Sequence, residues 1–479
     1  MASRDLSDSQ PKAQASTQQM PKVNLLTMFR LGLFQMGLGT MSVLTLGVLN
    51  RVMIQELAIP ATIVGVTIAM IQFVSPARIW FGHLSDAKPL FGYHRTSYIW
   101  LGAAIYAIAP FIAVQVTWQL GKSWQSHAWT TEAYGWIGLL ALSFVLYGLA
   151  LSASSTAFPA LLVDVSDEDN RSKLVSIVWS MLIVGVVVGA IVSSILLKQV
   201  TSSTPLATLE ASINRLFIII PAIVFAASLL ATVGVEKKYS RYSSRSTMVN
   251  REDKISLGKA LRVLTASPQT GLFFTFLLLM TINLFMQEPV LEPYGAKVFG
   301  MSIAETSKLP SFGGIGTLIG LNITGFLIVP RLGKERTTRL GCLLVAVCVG
   351  LIGLSGFTHN QMLLKVVLLL FGLASGVVTT GAVSLMLDLT AAETAGTFVA
   401  AWGLAQALAR GIAVVTGGAL LDLGRTLFSA PELAYGLVFV PQALGMVVAV
   451  WFLNRVNVAE FRTQAQQAIA SVLSGEQEN

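Results

Sequence analysis

Twelve apolar stretches follow one another along this chain, several of them unbroken for 18 residues or more. A helix needs about 20 apolar residues to cross the hydrocarbon core of a bilayer. Water is absent there, so the backbone must satisfy its own hydrogen bonds, and a helix does so within one segment. The spans fall at about 27–49, 60–81, 97–118, 134–157, 173–197, 212–235, 270–290, 310–330, 338–357, 362–387, 395–421 and 432–454. Charged residues make up only 12% of the chain and hydrophobic ones 54%, too little polar surface to cover a soluble protein of 479 residues. Length alone would suggest about three soluble domains, but the hydropathy overrides that prior. The chain is read as an all-α integral membrane protein of about twelve transmembrane helices.

An even number of spans puts both termini on one side. Of the 32 Lys and Arg residues, 22 lie in the tails and loops of that side and eight on the other, while Arg78 and Arg410 fall inside spans. Positive residues are retained on the cytoplasmic face, so both termini are expected there. The +8 net charge sits in loops and tails rather than in a basic domain, which argues against a nucleic-acid partner. The lipid bilayer is the expected partner.

The basic connection 236–269 is the one long loop between spans and divides the chain six plus six. Residues 161–179 (LLVDVSDEDNRSKLVSIVW) and 385–402 (LMLDLTAAETAGTFVAAW) match across that division. Each carries an Asp, Asp164 or Asp388, at a helix end, then an acidic turn, then Trp179 or Trp402 in the next helix. Two related six-helix halves around a central site suit an alternating-access plan. The expected organisation is a disordered tail at 1–22, rich in Ser and Gln, a first half at 23–235, the linker at 236–269, a second half at 270–456 and a polar tail at 457–479. The first apolar stretch is not followed by a small-residue cleavage site and is read as a span, not a signal sequence.

Some constellations carry chemical content. Gly82-His-Leu-Ser-Asp86 with Gly92 and Arg95 follows span two. Gly82 would permit close helix contact, and the carboxylate would bind a helix N-terminus or an arginine as a conformational latch with Asp164 and Asp388; the alternative is an ordinary solvated turn. Arg78, near the end of span two, either snorkels to the interface or meets an acid. Arg410 lies deeper, with Gln406 one turn away on the same face, and is expected to line a cavity or pair with an acid. Glu288 and Glu292 lie in Met286-Gln-Glu-Pro-Val-Leu-Glu-Pro-Tyr-Gly295, where Pro289 and Pro293 kink or unwind the helix. Carboxylates at a broken helix could bind a proton, a cation or a magnesium-bearing ligand, yet the spacing itself leans to hydrated groups at the outer surface. Gly185-xxx-Gly189 and Gly316-xxx-Gly320 are helix-contact motifs. Cys342 and Cys348 point to different helix faces, against a disulfide or metal site. The four histidines fall in loops or at helix ends, and no nucleotide loop, zincin motif or nucleophile elbow occurs, so neither an enzyme nor a metal site is expected.

Taken together, several stretches resemble a particular family. They are Leu49-Asn-Arg-Val-Met-Ile-Gln-Glu-Leu57, Gly92-Tyr-His-Arg95, Tyr98-Ile-Trp100, Leu291-Glu-Pro-Tyr-Gly295, Val298-Phe-Gly-Met301 and Trp402-Gly403 with Gln406-Ala407. The chain is similar over residues 25–455 to the PucC/LhaA, or bacteriochlorophyll delivery, family of the major facilitator superfamily. Asp86-Ala-Lys-Pro departs from that pattern and suggests a separate branch, cyanobacterial in kind. The resemblance implies a role in a photosynthetic membrane (thylakoid or intracytoplasmic) or plasma membrane. It also implies assembly of light-harvesting or chlorophyll-binding complexes by delivery of pigment, with their apoproteins and pigment-synthesis enzymes as partners. No permanent cofactor is expected, only transient chlorophyll or bacteriochlorophyll. With no histidine mid-span, magnesium would take water, an amide such as Gln406 or Asn283, or a carboxylate such as Glu288; Tyr294 and Trp402 complete the candidate cavity set. Two other readings stay open: a proton-coupled transporter of a small solute using Glu288 or Asp388, and a non-transporting assembly scaffold.

Overall fold

A computed structural model of the chain describes residues 23–126, 128–166, 168–200, 204–240, 268–389 and 395–457. The tails and most of the linker expected from the sequence lie outside these residues. Twelve helices are long and apolar enough to cross a membrane: α1 Leu25–Glu56, α2 Ala61–Gly82, α3 Thr96–Ser126, α4 Thr131–Val165, α5 Lys173–Leu196, α6 Leu206–Tyr239, α7 Gly271–Phe299, α8 Ile303–Leu332, α9 Lys334–Thr358, α10 Gln361–Met386, α11 Trp402–Leu427 and α12 Pro431–Leu453. Alternating direction puts the start of α1 and the end of α12 at one end of the bundle, here the termini end; the other is the far end.

Several helices outrun the apolar stretches that announce them. Helix α3, with 31 residues, is about 46 Å long at 1.5 Å per residue, against about 30 Å of hydrocarbon. Hydropathy marks only the lipid-facing length, whereas backbone hydrogen bonding carries the helix on into its polar ends.

Small residues set the closest contacts. A Cβ on Gly185 would stand 2.0 Å from the Met36 carbonyl oxygen, and one on Gly316 would stand 2.1 Å from that of Leu369. The two motifs therefore let α5 lie against α1, and α8 against α10, backbone to backbone. Between the halves, α2 runs along α11 and α5 along α8. Phe73 packs on Gly411, and Ile183 and Val186 face Gly314. Asp164 and Asp388 end α4 and its counterpart helix of the second half, as the internal match implies, but Trp179 is exposed and Trp402 buried. The tryptophans match in register, not in environment.

Helix α1 is not regular throughout. Over Val43–Leu49 and Val52–Glu56 it widens to a π-helical turn, as in the Leu57 N–H to Val52 oxygen bond. Such widenings recur at functional sites, and this one directs Gly47, Asn50 and Arg51 toward the seam between the halves.

Candidate functional site

The functional region is organised by the break in α7. Proline at 289 and 293 removes two backbone donors, and the first helical segment stops at Phe285 before a second starts at Glu288. The polar groups around the break are met by side chains. Gln287 donates to the Leu284 oxygen at 3.0 Å. Gln442 of α12 donates to the Asn283 oxygen at 2.7 Å and also to the Gln287 side-chain oxygen. Pro293 cannot donate to the Pro289 carbonyl one turn back; Asn50 of the opposite half does so instead, at 2.6 Å.

This geometry corrects the expectation of two hydrated carboxylates. The helix resumes after the break and continues to Phe299, so both glutamates lie within the bundle beside a cavity of about 320 Å³. Both halves wall it: Ser42, Leu46 and Gly47 from α1, Val186 from α5, and Gln287, Glu288, Thr317, Ser375 and Arg410 from the second half. Hydrocarbon cannot hydrate a charge, so each glutamate must find a partner or be neutral.

Glu288 has its partner. Arg410 grips it with both forks, Nη2 to Oε1 at 2.7 Å and Nε to Oε2 at 3.1 Å, and lies 4.5 Å from the centre of the Phe285 ring. Arg410 therefore both lines the cavity and pairs with an acid. Arg78 is exposed near the end of α2 and is not among the residues that line the cavity.

Glu292 is different. It is 2% exposed, and among the described residues neither carboxylate oxygen has a hydrogen-bond partner. It fits there because residue 47 is glycine, whose added Cβ would lie 2.1 Å from Glu292 Oε1. Arg51 is an opposite charge that acts on it through space but gives its hydrogen bonds elsewhere: to Thr306 Oγ1, to the Met301 oxygen at 3.1 Å and to Glu56 at 3.4 Å.

Those bonds belong to a seam that closes the far end. Asn50 and Arg51 of the first half hold the second half at Pro289, Met301 and Thr306. In the other direction, Asp422 of α11 accepts from the Ala61 and Thr62 N–H groups at 2.9 and 2.7 Å and from Thr62 Oγ1 at 2.7 Å. A carboxylate on a helix N-terminus across the seam is the chemistry expected of the loop after span two. At the far end the structure shows that chemistry on a residue outside the expected set.

At the termini end, Arg95 Nε donates to Asp164 Oδ2 at 3.1 Å and Nη1 to Ser85 Oγ at 2.7 Å. The two charged side chains are 8% and 9% exposed. Glu236, at the end of α6, accepts from the His94, Arg95 and Thr96 N–H groups. These contacts join α2, α3, α4 and α6 within one half. Gly92 is needed for its left-handed backbone, φ +78°. Gly82 makes no tight contact, since its Cβ would meet only Thr156 at 3.5 Å. The side chains of Asp86 and Asp388 lie outside the described residues.

The remaining candidates do not line the cavity. Asn283 is buried toward α12, its amide on the Leu279 oxygen at 2.7 Å. Tyr294 donates to the Ile352 oxygen at 2.9 Å and packs on Tyr435 and Phe439. Trp402 is buried against Phe273. Gln406, half-buried, sits one turn from Arg410 toward the termini end. Among the described residues no cluster of three metal-ligating side chains occurs, and both cysteines are buried and free. Sequence reasoning did not place Asn50, Arg51, Asp422 and Gln442 at the site; Asn50 and Arg51 lie in a stretch that carries the family resemblance, whereas Asp422 and Gln442 show only as polar groups in or at the end of an apolar stretch.

Comparison with known proteins agrees with this architecture. The chain is 31% identical over 463 residues to the "Bacteriochlorophyll synthase 44.5 kDa chain" of Rhodobacter capsulatus, covering 94% of this chain and 99% of that one. It is 29% identical to "Protein PucC" of the same organism, covering 92% and 94%. In three dimensions it resembles a variant of the nucleoside transporter NupG, with TM-score 0.68, 14% identity and coverage of 90% and 99%. A D-xylose–proton symporter matches with TM-score 0.64, 17% identity and coverage of 90% and 97%. The fold is thus that of the major facilitator transporters, two six-helix halves. The family described as "PUCC protein" matches residues 48–461, and the chain belongs to that family.

Proposed function

We propose that this protein is an alternating-access membrane protein that handles chlorophyll or bacteriochlorophyll while chlorophyll–protein complexes are assembled. The observation that carries the reading is a cavity between the two halves of a PUCC-family chain, with an arginine–carboxylate pair on its wall. Relatives named for PucC and for bacteriochlorophyll synthesis supply the pigment context. Ligand cavities span about 300–1,000 Å³, so a space of about 320 Å³ is at the small end. A tetrapyrrole with its tail is larger, and the reading requires the cavity to widen as the termini end opens. No histidine lines it. Glu288 would have to leave Arg410 to bind magnesium, so a hard oxygen from Gln287, Ser42 or Ser375 is the simpler ligand. This favours passing pigment on over storing it. The excess of basic residues at the termini end supports a cytoplasmic position for both termini, and the relatives support a photosynthetic membrane.

The test is a deletion strain complemented with the wild type or with an Arg410→Gln/Glu288→Gln variant. Assembled pigment–protein complexes and pigment retained on the purified protein should fall together in the variant. Normal complexes in the deletion strain would end the assembly reading. Proton-driven uptake of a small solute by proteoliposomes, indifferent to pigment supply, would replace it with solute transport.

A further inference from the structure

We propose that Glu292 is a proton-carrying site, holding its carboxyl group neutral while the far end is shut and giving the proton to water when that end opens. The inference stands apart from the pigment reading and would hold for any cargo.

Glu292 is 2% exposed, and among the described residues both of its oxygens lack a hydrogen-bond partner. An ionised carboxylate removed from water costs several kcal/mol unless it is paired and hydrogen-bonded. The charged groups facing it are otherwise engaged. Glu288, on the same helix, is held by Arg410 of α11. Arg51 of α1 gives its bonds to Thr306, Met301 and Glu56, while its Nε, also without a partner, makes no bond to Glu292. Glu305, at the start of α8, is occupied with Ser302 in a capping box. Gly47 lies against its carboxyl group, and the side chain borders the cavity between the halves. With no hydrogen bond to offset burial, the uncharged acid costs far less here than the carboxylate.

The same residues supply the exchange route. Glu292 lies in α7 between two contacts that close the far end, Asn50 to the Pro289 oxygen before it and Arg51 to Met301 and Thr306 after it. Parting those contacts admits water to both Glu292 and Arg51. The carboxyl O–H bond then breaks, the proton passes to water on that side, and the carboxylate left behind is hydrated beside the Arg51 guanidinium. Closing the seam again requires the proton back. The proton is thus bound in one conformation and released in the other, which is the requirement for coupling a conformational cycle to a proton gradient.

Infrared difference spectroscopy on the full-length protein in lipid nanodiscs tests this. Near neutral pH the wild type should show a protonated carboxyl band that shifts on deuteration and on carbon-13 labelling of glutamate. Glu292→Gln should remove one carboxyl per chain from that band, and Glu288→Gln should leave it in place. Because the carboxylate accepts no hydrogen bond, the isosteric amide should not lower the unfolding temperature. In Asp422→Ala protein, whose far-end seam is weakened, the band should titrate away at lower pH than in the wild type. The proposal is overturned if the labelled wild type lacks the band, a readout that needs no variant to fold. It is equally overturned if Glu292→Gln retains the band, or if Asp422→Ala leaves its titration unchanged.

Discussion

Asp422→Ala is the substitution for which the structure gives the clearest magnitude. Asp422 accepts three hydrogen bonds from the first turn of α2, whose cap residue Pro60 offers no side-chain acceptor. A helix cap contributes about 0.5–2 kcal/mol, and hydrogen bonds to a charged group about 1.5–3 kcal/mol. The carboxylate is 25% exposed, so water replaces part of what is lost, and a net cost of about 2 kcal/mol follows. Asp422 and its donors belong to different halves, and each half keeps its own packing. The cost therefore falls on the equilibrium between far-end-closed and far-end-open states, a shift of about 30-fold toward the open one. Spin labels at Ser126 and Leu427, exposed far-end positions of α3 and α11, read that equilibrium once Cys342 and Cys348 are replaced. A longer, broader distance component should appear in Asp422→Ala and a smaller one in Asp422→Asn. An unchanged distribution in a folded variant would refute the assignment of Asp422 as a seam contact.

Four further outcomes are expected. Asp164→Ala removes one hydrogen-bonded partner of the buried Arg95 and should destabilise the first half by about 1–3 kcal/mol, seen as a fall in unfolding temperature. Gly47→Ala drives a methyl group into the Glu292 carboxyl and should cost about 1–3 kcal/mol as an overpacked contact, relieved in part by Glu292→Ala. Asn50→Leu leaves the Pro289 oxygen without its donor and should cost about 1–3 kcal/mol, measured by thermal unfolding. A double-mutant cycle on Glu288→Gln and Arg410→Gln should give a coupling of about 1–3 kcal/mol, whereas additive single effects would show that the pair contributes nothing.

How much of this was legible in the sequence differs by level. The span count and sidedness rest on hydropathy and loop charge, both local properties, and the chain displays them openly. Glu288 and Arg410 each looked unusual, one beside prolines and the other deep in a span. That they meet depends on α7 and α11 lying side by side, which no spacing encodes. The hydrated reading of Glu292 fails for a definite reason: the prolines only interrupt a helix that resumes to Phe299, its freed carbonyls capped from elsewhere. The caps, Gln442 and Asn50, are distant in sequence from the groups they satisfy, Asn50 in the other half. Asp422 was passed over because one Asp near a span end looks like an interfacial residue.

The stretch Leu291-Glu-Pro-Tyr-Gly295 shows why gate and cavity cannot be altered independently. Leu291 lines the cavity, and Glu292 occupies the pocket against Gly47. Pro293 frees the carbonyl that Asn50 takes from across the seam. Tyr294 fixes the helix to α9 through the Ile352 oxygen. Gly295 admits Leu309 and Thr306, to which a Cβ would approach within 2.9 and 3.1 Å, and Thr306 is the residue that Arg51 binds. One helical turn and a half thus contributes a cavity wall, a buried acid, an inter-half acceptor, an anchor and the clearance for a gate. Anything that enters the cavity and displaces Leu291 or Glu292 must shift the carbonyl held by Asn50 as well. Occupancy and closure of the far end are therefore two readings of the position of one short, rigid segment.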